Sequence, residues 1–291
     1  GGYYGIGEGR FFDCSFIRNT ANEWGGAVMQ WSGPLAIVDC SFQANRTTKW
    51  AAGIAALNDC FVSNSTLYGN VGDRRSGEDA QFDFLESAPI ITTSLVEGWT
   101  GRWGGEGNFD ADPKWIDAGG GNLRIARDSP CVDAGSDEAV TEPVDLDGNP
   151  RILGGRVDIG AYENVCREVI DLAASMVEDD AEGHIGDGDG VCEPGEDCII
   201  TATVAVDAAT MPEGSTVRVA FAPVDENGDP DPDPCCAEHT CGPDARCPKT
   251  RKARIDAAGQ GTATLRGCAG GSWSVCIEGC GDGLCREVRC P

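Results

Sequence analysis

The chain has 291 residues, a net charge of −26 and 16 cysteines. So negative a surface disfavours nucleic acid and anionic lipid as partners, and no apolar stretch approaches the roughly 20 residues that a membrane-spanning helix needs. Twelve of the cysteines lie in residues 166–291, which predicts a disulfide framework and a secreted, extracellular or cell-surface protein. We expect two domains, residues 1–165 and 166–291.

The first domain contains a repeat of about 26 residues. Residues 11–28 and 37–54 share five positions at that spacing: Cys14/Cys40, Phe16/Phe42, Asn19/Asn45, Trp24/Trp50 and Val28/Ile54. The segment NSTLYGN repeats the pattern again, and TTSLVEG repeats it once more with Leu95 aligned to Leu67. Alternating runs broken by Gly, Asn and Asp predict short strands and turns. The repeat therefore predicts a parallel β-helix whose coils stack at about 4.8 Å, with a ladder of asparagines.

Three later blocks, DSPCVDAG, DLDGNPR and VDIGAYE, resemble the C-terminal end of secreted bacterial right-handed β-helix proteins of the pectate-lyase-like superfamily. They are most similar to the group called choice-of-anchor Q proteins, and the resemblance covers about residues 1–163. It implies a right-handed β-helix, export, and carbohydrate as the natural ligand. For the lyase members it also implies calcium and a basic catalytic residue, although many members have no assigned reaction.

The start of the chain departs from that family, because GGYYGIGEGR offers no capping segment. Repeat proteins need capped ends for solubility, and an open coil end is a row of unpaired backbone groups. We therefore expect that the chain is a fragment or that a neighbouring copy covers this end.

The second domain alternates as short antiparallel strands separated by turns, which predicts a disulfide-rich, immunoglobulin-like β-sandwich. The fold class expected for the whole chain is all-β. A zinc site at the cysteines near His239 is an alternative to disulfides there. The disulfide candidates are Cys14, Cys40, Cys192, Cys198, Cys235, Cys236, Cys241, Cys247, Cys268, Cys276, Cys280, Cys285 and Cys290.

Acidic loops are the candidate calcium sites. The segment GDGDGVCEPGEDC alternates Asp with Gly, and calcium prefers hard oxygen ligands on a tightly bent chain. DLDGNPR and DENGD are weaker versions of the same pattern, and Asx-rich turns also form without metal. The candidate ligands are Asp187, Asp189, Glu193, Glu196, Asp197, Asp145, Asp147, Asp225, Asn227 and Asp229.

The sequence contains no obvious catalytic cluster. Lys49, Arg74 and Arg75 are the basic residues that a lyase reaction could use, but no acidic residues converge on them in the repeat pattern. Trp24 and Trp50, one coil apart, would form a flat platform for a sugar ring, a structural aromatic ladder or an assembly contact.

These features favour an extracellular structural subunit, not an enzyme, that self-assembles head to tail into a filament or surface layer. Contacts that do not close generate open polymers, and calcium would add to the disulfides in stabilising it. The alternatives are a carbohydrate-binding or polysaccharide-cleaving protein and a surface adhesin.

Overall fold

The computed structural model describes residues 2–178, 197–224, 249–269 and 272–289. The described elements are strands, apart from one four-residue α-helix and two short 3-10 helices, so the protein is all-β as predicted. The chain divides into two compact units, Gly1–Asn164 and Val165–Pro291, and this division lies one residue from the expected boundary. Within the described ranges, no helix has the length and apolar character needed to cross a membrane.

The first unit is a parallel β-solenoid of about four coils. The first coil contains β1 (Tyr3–Ile6), β2 (Gly9–Phe12), β3 (Ser15–Ile17) and β4 (Thr20–Ala21). The second contains β5 (Val28–Ser32), β6 (Leu35–Val38), β7 (Ser41–Gln43) and β8 (Arg46–Thr47). The third contains β9 (Ile54–Ala56), β10 (Cys60–Ser63), β11 (Thr66–Tyr68) and β12 (Val71–Gly72). After α1 (Glu78–Gln81), the fourth contains β13 (Phe82–Phe84), β14 (Ile90–Thr92) and β15 (Leu95–Val96).

Equivalent strands of successive coils pair in parallel and form four sheets. Sheet A has the order β1-β5-β9-β13, sheet B β2-β6-β10-β14, sheet C β3-β7-β11-β15 and sheet D β4-β8-β12. Phe16 pairs with Phe42, and Phe42 pairs with Leu67. The rings of Phe16 and Phe42 stack at 4.7 Å with planes 6° apart, so each coil places an apolar side chain over the last.

The predicted asparagine ladder is present at one turn. Asn45 Oδ1 accepts hydrogen bonds from the backbone N–H and Nδ2 of Asn19, at 2.9 and 3.0 Å. Asn70 Oδ1 accepts from the same two groups of Asn45, at 3.0 and 2.8 Å. Because Asn45 is fully buried, these bonds satisfy groups that would otherwise be buried without partners.

A second column forms the corners that follow the strands of sheet B. Asp13, Asp39, Asn64 and Thr93 occupy these corners with φ between 45° and 54°. This left-handed conformation costs most residues energy, but Asn and Asp adopt it more readily because their short polar side chains bond locally. The corners thus place polar side chains at one edge of every coil.

The register of the fourth coil differs from the predicted one. Leu67 pairs with Val96 rather than with Leu95. In sheets B and C the step between the third and fourth coils is 29 residues, as in the pairing of Phe61 with Ile90. The prediction was wrong by one residue because the turn between β13 and β14 contains one extra residue: the step is still 28 where Ile54 pairs with Phe82 before that turn.

Beyond the fourth coil the chain packs on the outside of the solenoid. Strands β16 (Trp115–Asp117) and β17 (Asn122–Ile125) pair antiparallel, and a 3-10 turn follows at Asp137–Ala139. Residues 143–163, which we name the clip, then lie against the first three coils. The Ala161 N–H donates to Ser41 Oγ at 3.0 Å, and the Gly160 N–H donates to the Asn64 carbonyl at 2.8 Å.

The second unit contains two antiparallel sheets. One has the order β18-β19-β22, from strands β18 (Val169–Glu178), β19 (Asp197–Val206) and β22 (Gln260–Ala269). The other has the order β21-β20-β23-β24, from strands β20 (Thr216–Val224), β21 (Lys249–Arg254), β23 (Ser272–Ile277) and β24 (Cys285–Arg289). A 3-10 turn at Asp282–Leu284 precedes β24. The immunoglobulin-like topology stays a prediction.

Two disulfides connect described residues of the second unit, Cys166–Cys280 and Cys276–Cys285. Cys198 is also disulfide-bonded. Its backbone on β19 pairs with that of Cys268 on the adjacent strand β22. The other candidates of this unit lie outside the described residues, as does the alternative zinc site near His239: Cys192, Cys235, Cys236, Cys241, Cys247 and Cys290.

Cys14 and Cys40 correct the disulfide prediction for the first unit, because both are free thiols. Their sulfurs point to carbonyls of their own coils, Cys14 Sγ to Phe12 and Cys40 Sγ to Val38, each at 3.1 Å. The hydrogen bond between the two thiols lowers the pKa of Cys14 to about 7, whereas burial raises that of Cys40 well above its usual value.

We expect Asn45→Ala to lower the free energy of unfolding by about 2 kcal/mol or more, because it leaves several buried donors and acceptors without partners. Chemical unfolding followed by tryptophan fluorescence measures this, since six of the seven tryptophans lie in the first unit. Asn22→Ala removes an exposed asparagine and serves as the control. Equal stability of the two variants would contradict a structural role for the ladder.

Candidate functional site

Three side chains stack at equivalent corners of successive coils. Trp24 follows β4, Trp50 follows β8 and Arg75 follows β12. The indole rings of Trp24 and Trp50 are parallel within 9°, with centroids 6.1 Å apart. The guanidinium carbon of Arg75 lies 5.0 Å from the Trp50 ring centroid, a cation–π geometry. The aromatic pair predicted from the repeat is therefore formed, with a cation over one end.

The opposite end of this stack opens into a cavity of about 410 Å³. Trp31 is 44% exposed and lies 6.4 Å from Trp24 between ring centroids, and Tyr4 is 62% exposed. We name this space the aromatic cavity, and its lining includes Tyr3, Tyr4, Glu23, Trp24, Met29 and Trp31. Clustered exposed aromatic groups of this kind are a feature of ligand-binding grooves.

Charged side chains border the Arg75 end of the stack. The Asp79 carboxylate pairs with Arg102 at 2.6 Å and with Arg75 at 3.9 Å. Burial raises the pKa of Asp83, and although the positive charge of Arg75 lowers it, that effect is smaller. The register of sheet A places Asp83 in the same column as Tyr4, three coils away.

Together these groups form a continuous surface along the solenoid, aromatic over the first two coils and charged over the last two. We name this surface the strip, and it consists of Tyr4, Trp24, Trp31, Trp50, Arg75, Asp79, Asp83 and Arg102.

The three basic residues nominated from the sequence have different environments. Lys49 forms an ion pair with Glu23 on the surface, and Arg74 is exposed. Arg75 alone joins the strip. The sequence analysis did not identify Asp79 and Asp83 as neighbours of Arg75. Aligning Phe82–Phe84 with Ile54–Ala56 would have placed Asp83 on the outer face of sheet A.

The calcium prediction at the DLDGNPR turn gains no support from its geometry. Asp145 Oδ1 accepts from the backbone N–H groups of Asp147 and Asn149, each at 2.8 Å, and its Oδ2 accepts from that of Glu163 at 2.9 Å. Asp147 receives two hydrogen bonds from Arg124, at 2.5 and 2.7 Å. Donors of the chain thus contact the carboxylate oxygens that the prediction assigns to calcium, and the described residues include no group of three or more His, Cys, Asp or Glu side chains that could hold a metal ion.

The other calcium candidates are not tested by the structure. Asp197 begins β19, where only its backbone is described. The rest lie outside the described residues: Asp187, Asp189, Glu193, Glu196, Asp225, Asn227 and Asp229.

A buried acid cluster joins the clip to the solenoid. Arg151 of the clip is 1% exposed and contacts Asp13 Oδ1 at 3.2 Å, Asp39 Oδ1 at 3.2 Å and Glu163 Oε1 at 3.3 Å. Its guanidinium also donates to the carbonyls of Asp158 and Gly160. The DLDGNPR block therefore supplies the arginine that docks the clip on the first two coils.

The acid cluster holds more negative than positive groups, and burial dominates their ionisation. Burial raises the pKa of Asp13 to about 7, because the opposing attraction of Arg151 is smaller. Burial likewise raises the pKa of Asp158 to about 7 and that of Glu163 well above its usual value. The pKa of Asp39 is raised for the same reason.

No family model matches the chain, and comparison with curated proteins finds no similar protein. The fold of the first unit agrees with the parallel β-helix that the sequence predicts.

Proposed function

We propose that the first unit is an extracellular polysaccharide-binding module and that the strip is its binding surface. The observation that carries this proposal is the aromatic cavity at the open end of the Trp24–Trp50 stack. One face of Trp24 lies on Trp50, while Trp31 and Tyr4 border the space beside it.

Pyranose rings have an apolar face of C–H groups and a rim of hydroxyl groups. Indole rings cover the apolar face, and their amphipathic character suits a partly wet site. Pockets for small ligands combine such apolar walls with a few polar groups that fix orientation. The Glu23 carboxylate and the Lys49 ammonium, which form an ion pair at the cavity edge, would bond sugar hydroxyls.

The charged half of the strip supports a chain of sugars rather than a single ring. Four coils span three inter-strand steps of about 4.8 Å each, so a ligand bound over Trp24 would continue toward Arg75 and Asp79. These groups are paired with opposite charges, and the protein carries a net charge of −26. Both features favour a neutral polysaccharide over a polyanion.

The resemblance to the pectate-lyase-like superfamily points to the same ligand class, by analogy alone. Arg75 beside Asp79 has the residue types of a lyase site, but its guanidinium already faces a carboxylate and an indole ring. Binding is therefore the activity proposed, and cleavage of the probe is monitored in its test.

We expect the full chain to bind at least one soluble neutral glucan, xylan or mannan, and Trp31→Ala and Trp24→Ala to weaken binding about tenfold or more. A tenfold loss corresponds to about 1.4 kcal/mol, within the range of one aromatic contact at a binding hot spot. Affinity electrophoresis and calorimetry measure the binding, and product analysis detects cleavage.

Trp115→Ala is the matched control, because Trp115 packs against Tyr68 away from the strip. It should lower stability without changing affinity. Absence of binding across the panel, or equal loss in all three variants, would contradict the proposal.

Self-assembly of the chain is the second candidate function. The first coil supplies the outermost strand of every sheet in which it takes part, and Ile6 on β1 is 76% exposed. An edge strand with exposed apolar residues is a template for pairing with another chain. A second copy is the partner that the filament prediction requires, and a segment of a longer chain would fit the same edge.

If copies of the chain pair through this edge, sedimentation velocity will show association that increases with protein concentration. Ile6→Lys should abolish it, because a charged side chain on an edge strand opposes strand pairing. Leu146→Lys changes an exposed apolar residue of the clip, outside the edge strands at both ends of the solenoid, and is the control. A single monomeric species for the unmodified chain at all concentrations would exclude this candidate.

A further inference from the structure

We propose that the acid cluster is a pH-sensitive latch, which holds the clip on the first two coils in weakly acidic solution and loosens it as the solution becomes neutral to alkaline. This inference is independent of the ligand of the strip, because the cluster lies at the corners that follow sheet B rather than at those that carry Trp24 and Trp50.

The charge count of the cluster is unbalanced. One guanidinium, on Arg151, contacts three carboxyl groups, those of Asp13, Asp39 and Glu163. Asp39 and Arg151 are at most 1% exposed and Asp13 is 8% exposed, so water screens their charges poorly. With all three carboxyls ionised, two negative charges would remain uncompensated, and burying unpaired charge is costly. Binding protons is the direct way to remove that excess.

The other charged groups around the cluster do not restore the balance. Asp145 and Asp158 of the clip are buried, and Asp145 and Glu142 both add negative charge that acts on Asp13. The thiols of Cys14 and Cys40 adjoin the two corner aspartates in the chain. Arg151 is the one cation in contact with the cluster among the described residues.

The cluster connects two separate parts of the first unit, the clip and the first two coils. Asp13 and Asp39 stand at left-handed corners of the first and second coils, whereas Arg151 and Glu163 belong to the clip. At the equivalent corner of the third coil a neutral residue, Asn64, accepts a hydrogen bond from the Ser136 N–H at 2.8 Å. The pH-sensitive contacts are therefore confined to the first two coils.

The direction of the pH effect follows from the pKa shifts. Burial raises the pKa of Asp13 from its ordinary value of 3.8 to about 7, so the docked state retains a proton that the released state loses. Stability of the docked clip is thus fully present at low pH and is lost as the pH rises through about 7. The raised pKa of Asp39 acts in the same direction.

Amide hydrogen exchange of the full chain, corrected for intrinsic rates, tests the latch at about pH 5 and about pH 8, on either side of the Asp13 pKa. We expect the protection of residues 143–163 to be lower at pH 8 than at pH 5 by about tenfold or more. A tenfold change corresponds to a difference of about one pKa unit between the docked and released states. Protection of β6 and β7 should change less.

Asp13→Asn is the decisive variant, because an amide imitates the neutral carboxyl and asparagine already occupies this corner in the third coil. It should keep the clip protected at the higher pH, and Asp39→Asn should act similarly. Asp128→Asn is the control: its carboxylate is exposed, and its pKa is lowered by the hydrogen bond from Lys114. Equal protection of the unmodified clip at both pH values, or an unchanged fall in Asp13→Asn, would overturn the latch.

Discussion

The interaction on which the first unit depends is the in-register backbone pairing of each coil with the next. Parallel pairing places every side chain over its equivalent one coil away, so a residue type that recurs at the coil spacing becomes a column. The asparagine ladder, the stacked phenylalanines and the Trp24–Trp50 pair all have this origin. The strip is therefore a consequence of register. Trp50 and Arg75 stack because β8 and β12, which precede them, pair in register.

Most of the solenoid could be predicted because its contacts join equivalent positions of neighbouring repeats. A spacing of 26 residues between equivalent positions is visible in a single sequence, and strand alternation shows which positions face inward. The fourth coil was misaligned because one extra residue between β13 and β14 changes the spacing from 28 to 29, and the TTSLVEG copy gives no sign of it. Its corner residue Thr93 has the same left-handed backbone as Asn64, which a composition pattern does not reveal.

The acid cluster could not be predicted for a different reason. Arg151 meets Asp13 and Asp39 across more than a hundred residues, and no periodicity links them. The block that contains Arg151 had two interpretations, a weak calcium site and a metal-free Asx-rich turn, because Asp and Asn side chains serve both purposes. In the structure the aspartates of that block bind backbone N–H groups and Arg124, and its arginine docks the clip.

The strip and the acid cluster both arise from the stacking of the coils, but they repeat different kinds of side chain. On one side, repeated aromatic residues produce an apolar surface that suits the faces of sugar rings. On the other, Asp13 and Asp39 repeat a carboxylate at a buried corner, which concentrates negative charge that a single arginine does not balance. Protonation of these buried carboxyl groups removes the excess negative charge and lowers the cost of burying them.

Disulfide trapping tests the in-register stacking most directly. Arg10 and Ala36 pair on the outer face of sheet B, and Phe61 lies one coil further. Adjacent strands are about 4.8 Å apart and alternate strands about 9.6 Å, while a disulfide requires Cα atoms within about 7 Å. Peptide mapping after mild oxidation should therefore find a cross-link in Arg10→Cys/Ala36→Cys and none in Arg10→Cys/Phe61→Cys. A cross-link in the second variant, or none in the first, would contradict the order and register of the coils.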